Sequence, residues 1–312
     1  MASESKAVHR SICKVYRDEV ARTYDRRKLT LEQLRTMNAL AGIRCKHSRR
    51  MLASDIKLRK RLGYELIKEY RQLWRLTQAD PDLHVYHITP LSDRFQFSVH
   101  HGNADVYGAI DKFTHALRQY TDLNAFGIYE AQTIVSRGKR GLETFYGHLH
   151  CIAYTRDPSV VANLIGSAKG YNAALTKVPI LVQLLGRKEG DYTRLARYHA
   201  KPIYEAKKYN AKAYQDGKAC LSGTIKGVER YHLRRTLELQ SKLPLQNSLF
   251  GVGEGVAMKK RVLKRVRQWH QGRSGETLEL EPTDIDVLYE ALYRQNPGCL
   301  SGFSPMNVKY QK

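Results

Sequence analysis

The stretch Tyr146-Gly147-His148-Leu149-His150-Cys151-Ile152-Ala153-Tyr154 constrains the chain more than any other. Aromatic, β-branched and small apolar residues alternate there with polar ones, and the polar segment Arg156-Asp157-Pro158 stops the pattern, so it reads as a β-strand. Side chains two apart on a strand share a face. His148 and His150 are therefore expected side by side, with Phe145, Leu149, Cys151 and Ala153 pointing the other way. Two imidazoles over an apolar row are how a strand offers two nitrogen ligands to one metal ion. The plain alternative is a pair of half-exposed surface histidines, because His-x-His alone is a weak pattern.

The preceding strand is Asn124 to Val135, and Ser136-Arg137-Gly138-Lys139-Arg140-Gly141 reads as the turn between the two. With the turn centred near Gly138 to Lys139, directly opposed residues have numbers summing to about 278 and share a face. Glu130 then faces His148, and Gln132 faces Tyr146. A slip of two residues keeps that face, whereas a slip of one points Glu130 away. Two imidazoles and one carboxylate with open positions suit Mg²⁺ or Mn²⁺, phosphate oxygens completing the shell. Glu143 is the reserve carboxylate. The alternative for Glu130 is a surface carboxylate paired across the strands with an arginine.

Around this hairpin the pattern is α/β. Leu83 to Pro90 reads as a first strand closed by proline, and a helix follows Asn103 with Val106, Ile110, Phe113, Leu117 and Tyr120 on one buried face. Asp157-Pro158 starts another helix, with Val160, Val161, Leu164 and Ile165 on its buried side. Val178 to Leu185 reads as a further strand. Asp191 then caps a short helix that Pro202 ends or kinks. On it Tyr198 and Lys201 lie three apart and are neighbours. A lysine beside a phenol stabilises phenolate or neutralises phosphate charge. The chain has 20 tyrosines, and most tyrosines near a lysine do nothing chemical, so the pair gains meaning only from its place downstream of the histidine strand.

Charge points to the partner. The 312 residues carry 53 Lys+Arg against 30 Asp+Glu, a formal net charge of +23. A polyanion is favoured, and nucleic acid over membrane, because no long apolar run and no basic amphipathic anchor with an apolar Trp/Leu face is evident. Residues 1–80 hold 20 of the basic residues against 9 acidic ones, so this helical-looking first quarter is either a DNA-gripping arm or a solvated extension packed on the core. Cys13, Cys45, Cys151, Cys220 and Cys299 are scattered and odd in number, with no C-x-x-C pair. They indicate a reducing compartment and argue against a zinc finger. With no apolar signal-peptide core at the N-terminus, a cytoplasmic location is expected.

Three features in order resemble the HUH endonucleases, particularly replication initiators of rolling-circle plasmids and filamentous phages. Tyr86-His87-Ile88-Thr89-Pro90 looks like the first family motif, His148-Leu149-His150 like the His-hydrophobic-His motif, and Tyr198-His199-Ala200-Lys201 like Tyr-x-x-Lys. The resemblance covers roughly residues 83 to 215. It implies an α+β fold, with a ferredoxin-like or RRM-like antiparallel sheet carrying helices on one face and the metal site on the other. It also implies attack of Tyr198 on a scissile phosphate, with Lys201 assisting, to give a 5′-phosphotyrosyl link and a free 3′-OH. Tyr192 and Tyr204 flank Tyr198 at six residues each way, not a same-face helical spacing, so a single nucleophile is expected with Tyr204 as fallback. The expected substrate is single-stranded or hairpin origin DNA, with a host helicase and polymerase as partners. A transposase or conjugative relaxase is the alternative within this chemistry, although relaxases usually cluster three histidines and place tyrosine near the N-terminus. A non-catalytic, basic nucleic-acid-binding protein is the alternative outside it.

The organisation expected is a basic helical arm over residues 1–81, an endonuclease domain over 82–215 and a basic helical region over 216–312. The lysine- and tyrosine-rich segment 203–213 reads as a continuing helix, either stacking bases or simply packing. Gly251-Val252-Gly253-Glu254-Gly255 lacks a following Lys-Ser or Lys-Thr, and no strand clearly precedes it, so it is not read as a phosphate loop. No G-x-x-x-x-G-K-[ST] occurs anywhere, which argues against an intrinsic helicase motor. Met258 to Trp269 reads as a basic amphipathic helix, and Thr283 to Tyr293 as a more acidic one.

Overall fold

The structure is a computed structural model that describes residues 44–45, 51–53, 56–100, 102–136, 143–167, 171, 179–201, 206–209, 221–225, 235–236, 238–240, 242–272, 279–280 and 306–311. Its elements are β1 (Arg44–Cys45), α1 (Ile56–Ala79), β2 (His84–Ser98), β3 (Asn103–Asp105), α2 (Val106–Arg118), β4 (Asn124–Ser136), β5 (Glu143–Thr155), α3 (Ser159–Gly166), β6 (Ile180–Leu184), α4 (Glu189–Ala200), β7 (Ala206–Tyr209), β8 (Leu221–Ile225), α5 (Leu245–Ser248), β9 (Leu249–Val252), α6 (Glu254–Gln271), β10 (Glu279–Leu280) and β11 (Asn307–Lys309). The fold is mixed α+β. Its main sheet runs β6-β2-β5-β4-β7-β8, and β9 also pairs with β4. The strands β6, β2, β5, β4 and β9 form a continuous antiparallel set, while β7 joins β4 in parallel.

The hairpin register is the one expected: Glu130 lies opposite His148 and Gln132 opposite Tyr146. Alternation then sorts the sheet into two faces. Leu149, Cys151 and Ala153 meet the apolar stripe of α2, Val106, Ala109, Phe113 and Leu117, together with Val160, Val161 and Leu164 of α3. The other face sends Phe126, Ile128, Ile152 and Tyr154 against α1, α4 and α6. Both faces are covered, so the metal-site face is not free of helices as the resemblance implied. Cys151 is a buried free thiol whose pKa burial pushes up.

Several local expectations are corrected. Strand β2 does not close at Pro90; it continues to Ser98, with its register to β5 slipping between Leu91 and Gln96. A proline is tolerated beside such an irregularity, and the next amide, of Leu91, donates to the Pro179 carbonyl at 2.7 Å. Helix α4 starts at Glu189 with Lys188 as its cap, so Asp191 sits in the first turn, where a carboxylate favours the helix dipole. The segment expected as a helix over 203–213 contains the strand Ala206–Tyr209, in which β-pairing to β4 and β8 overrides helix propensity. Arg44 and Cys45, within the expected helical arm, are a short strand paired with β10. Tyr204, the remaining basic runs before residue 51, the 137–142 turn and the expected helix at 283–293 lie outside the described residues.

Strand β9 runs into the Gly251-Val252-Gly253-Glu254-Gly255 segment and ends at Val252, and α6 begins within it at Glu254. The glycines there serve packing. Gly253 has φ of 56°, a conformation that L side chains rarely adopt, and a Cβ on Gly255 would be driven into the Ala125 backbone carbonyl. Gly255→Ala is expected to destabilise the protein by about 3 kcal/mol or more, because a backbone cannot step aside as a side-chain tip can. Chemical denaturation would measure it.

Helices α1 and α6 are tied by charge as well as by apolar packing. Buried Glu69 accepts from Arg261 at 2.7 Å and also pairs with Arg265, while Glu65 pairs with Arg265 at 2.7 Å and Arg61 at 2.6 Å. Burial opposes ionisation of Glu69, but the two arginines outweigh it and hold its carboxyl below the ordinary range. A depressed carboxyl stabilises the fold above the unfolded-state pKa, and that contribution is lost as pH falls through the folded-state value. Glu69→Gln is therefore expected to cost roughly 1–2 kcal/mol at neutral pH, discounted for the half-exposed Arg261. The deficit should shrink as both proteins are acidified from pH 5 toward 3. Thermal melts of the pair across that window provide the check.

Candidate metal centre and its tyrosine

Strand alternation and the hairpin register bring Glu130, His148 and His150 together, all three buried, with a ligand atom from each within 4.8 Å of the others. The two Nε2 atoms are 3.1 Å apart, and His150 Nε2 is 3.3 Å from a Glu130 oxygen. Metal–imidazole bonds of ~2.1 Å meeting at a right angle separate two nitrogens by ~3.0 Å, so the spacing suits adjacent ligands on one ion.

Hydrogen bonds orient both rings. Nδ1 of His148 is 3.0 Å from the Tyr146 carbonyl, which can only accept, so that nitrogen carries the proton and Nε2 presents its lone pair. Nδ1 of His150 is 2.9 Å from the Thr89 hydroxyl, which can accept from it or donate to it and fixes the ring plane either way. Thr89 lies opposite His150 because the β2–β5 register runs from Ile88↔Cys151 to Leu91↔His148. Burial lowers the His150 pKa to about 3 despite the raising effect of Glu130, so the ring is neutral at physiological pH. Burial opposes ionisation of Glu130 too, yet Lys201 and His150 outweigh it and hold the carboxyl well below its usual range. One Glu130 oxygen, Oε1, has no hydrogen-bond partner although Lys201 Nζ stands 3.5 Å away. Two imidazoles, one carboxylate and an underused buried oxygen form a set that can hold a metal ion.

Thr89→Val keeps the volume but removes the hydroxyl that fixes the His150 ring. Metal affinity is expected to fall about tenfold or more, read by calorimetric titration with Mn²⁺.

Tyr198 stands over this group. Its hydroxyl is 3.3 Å from His150 Nε2, and the residue keeps 36 % of its surface exposed. Lys201 is not on the helix with it: the residue before Pro202 is forced out of α-geometry, with φ −57° and ψ 142°. From that position Lys201 Nζ still lies 3.9 Å from the Tyr198 ring centroid. Lys201 is held charged, because Glu130 and Tyr198 outweigh the effect of burial. The phenol is not activated by this lysine alone: burial and the Glu130 carboxylate raise its pKa, and Lys201 only offsets part of that.

No protein-family model, curated protein or solved structure matches this chain.

The site contains more than the residues expected. His87 and His199 pack on His150, with ring centroids 5.4 and 6.1 Å from it, and burial lowers the His87 pKa to about 4. His199 Nδ1 bonds the Tyr70 hydroxyl at 2.6 Å, and Arg59 donates to the Lys201 carbonyl at 3.1 Å, so α1 holds α4 at the site. Alternation places His87 and Thr89 on the ligand face and was available in the sequence; the contribution of Tyr70 and Arg59 depends on tertiary packing and left no local signal. Glu130 is the carboxylate at the histidines, and the side chain of the reserve Glu143 lies outside what is described. Tyr192 is 1 % exposed in the core beneath α1.

Proposed function

We propose that this protein nicks and rejoins single-stranded DNA by metal-assisted attack of Tyr198, as a replication initiator of the HUH endonuclease type does. The observation that carries the reading is a tyrosine hydroxyl 3.3 Å from a nitrogen of a buried His-His-Glu group, with a charged lysine against the same ring. The antiparallel order β6-β2-β5-β4, with α2 linking β2 to β4 and α3 linking β5 to β6, supports a ferredoxin-like sheet as its frame. The net charge of +23 supports a polyanionic substrate.

Glu130, His148 and His150 would hold Mg²⁺ or Mn²⁺, which supplies positive charge beside the scissile phosphate. The chain's own groups do the rest. Tyr198 Oη forms the bond to phosphorus while the bond to the 3′ oxygen breaks; the phenolic proton passes to water and the 3′ oxygen takes up a proton. Lys201, charged throughout, opposes the build-up of negative charge on the phosphate and holds Glu130 ionised. The phosphotyrosine retains the energy of the phosphodiester, so attack by a 3′-OH rejoins the strand without ATP.

The test is incubation with a labelled pool of single-stranded and hairpin oligonucleotides and Mn²⁺. An SDS-stable protein–DNA adduct that EDTA prevents is the expected result. Salt-sensitive binding with no adduct across the pool returns the protein to the non-catalytic class.

A further inference from the structure

A cleft of about 630 Å³ runs between α2 and α6, floored by Leu249 and Phe250 of β9. It is separate from the metal centre, whose residues do not line it. Among the described residues the charges facing it are Arg118 from α2 and Lys259 and Arg267 from α6, against one acid, Asp111. Lys259 is committed to the Leu249 carbonyl. Arg118 and Arg267 form no ion pair among the described residues, and both are exposed. Tyr107, 39 % exposed, and Val256, 41 % exposed, add an aromatic and an aliphatic surface to the lining.

We infer that this cleft is a track for single-stranded nucleic acid. The two guanidiniums, one on each wall and without an ion pair among the described residues, offer charge to phosphates, and an exposed aromatic ring offers a base a surface to stack on. The volume is that of a site for a small ligand, which a short run of unpaired nucleotides fills and a duplex does not. The cleft lies at the β9 edge of the sheet, so a strand held there is gripped away from the scissile phosphate. The inference rests on the nucleic-acid reading above, but it requires binding alone and no cleavage.

Fluorescence anisotropy tests it, with a labelled single strand of about 20 nucleotides in EDTA so that no cleavage occurs. Arg118→Glu/Arg267→Glu is expected to weaken binding at least tenfold and to make the slope of log K against log salt shallower by about 1.4, that is, about 0.7 for each phosphate no longer neutralised. Tyr107→Ala is expected to weaken binding about fivefold or more with the slope unchanged, since stacking releases no counterions. The control Arg75→Glu/Lys188→Glu makes the same charge change on exposed residues outside the cleft and is expected to have a much smaller effect. Circular dichroism melts confirm that each variant is folded.

Equal losses in the cleft and control variants would overturn the track, as would tighter binding of duplex than of single strand. Adduct formation with Mn²⁺ at saturating DNA separates the two readings. Cleft variants that keep the wild-type adduct leave both standing. Absence of an adduct even in the wild type, with the binding losses as expected, sinks the nuclease and leaves the track.

Discussion

Replacing Tyr198 by Phe is expected to abolish the covalent protein–DNA adduct and to lower nicking by at least ~10³-fold, while DNA affinity changes less than about twofold. Phenylalanine keeps the ring against which Lys201 sits and removes only the oxygen 3.3 Å from His150 Nε2. Folding should be unaffected, because the substitution keeps the ring and the residue is already 36 % exposed. A gel-resolved adduct assay beside an anisotropy titration separates chemistry from binding. A residual adduct at more than a few per cent of wild type would mean that another group attacks, and buried Tyr192 is a poor substitute.

The second large effect is on metal. His150→Ala removes one of three ligand side chains and should weaken Mn²⁺ binding by ~100-fold or more, beyond the loss expected when only an orienting partner such as Thr89 is changed. His148→Ala should match it, since the two rings stand in equivalent positions, each with Nδ1 committed to an oxygen and Nε2 turned to the centre. Glu130 remains beside Lys201 in both variants, so neither leaves that carboxylate without a charged neighbour. Calorimetry in the absence of DNA reads the metal term directly. An unchanged affinity in either variant would mean that the ion, if bound, sits elsewhere.

Much of the site was legible in the chain because its geometry is local. A period of two and a hairpin register suffice to place Glu130 opposite His148 and to aim both histidines one way, and the structure agrees pair for pair. The helical stripe of α2 was equally readable, since Val106, Phe113 and Leu117 repeat at the period of a helix. What escaped was set by distant contacts. Strand β2 runs through Pro90 because neighbours on both sides hold it, and Ala206–Tyr209 is extended because β4 and β8 recruit it. Pattern alone could not place α1 and α6 on the ligand face, nor show that Arg59 and Tyr70 of α1 reach the Tyr198 helix at its end and at His199. Lys201 does favour the phenolate, as its spacing suggested, but burial and the Glu130 carboxylate, neither visible locally, outweigh it and leave the Tyr198 pKa raised.

The most direct measurement is mass spectrometry of the peptide that remains attached to DNA after the protein is incubated with a cleavable single strand and Mn²⁺, then digested. One modified peptide is expected, with the 5′ phosphate on Tyr198, present only with the divalent ion and absent from His150→Ala. An adduct on any other residue, or cleavage that leaves no protein attached, would contradict it.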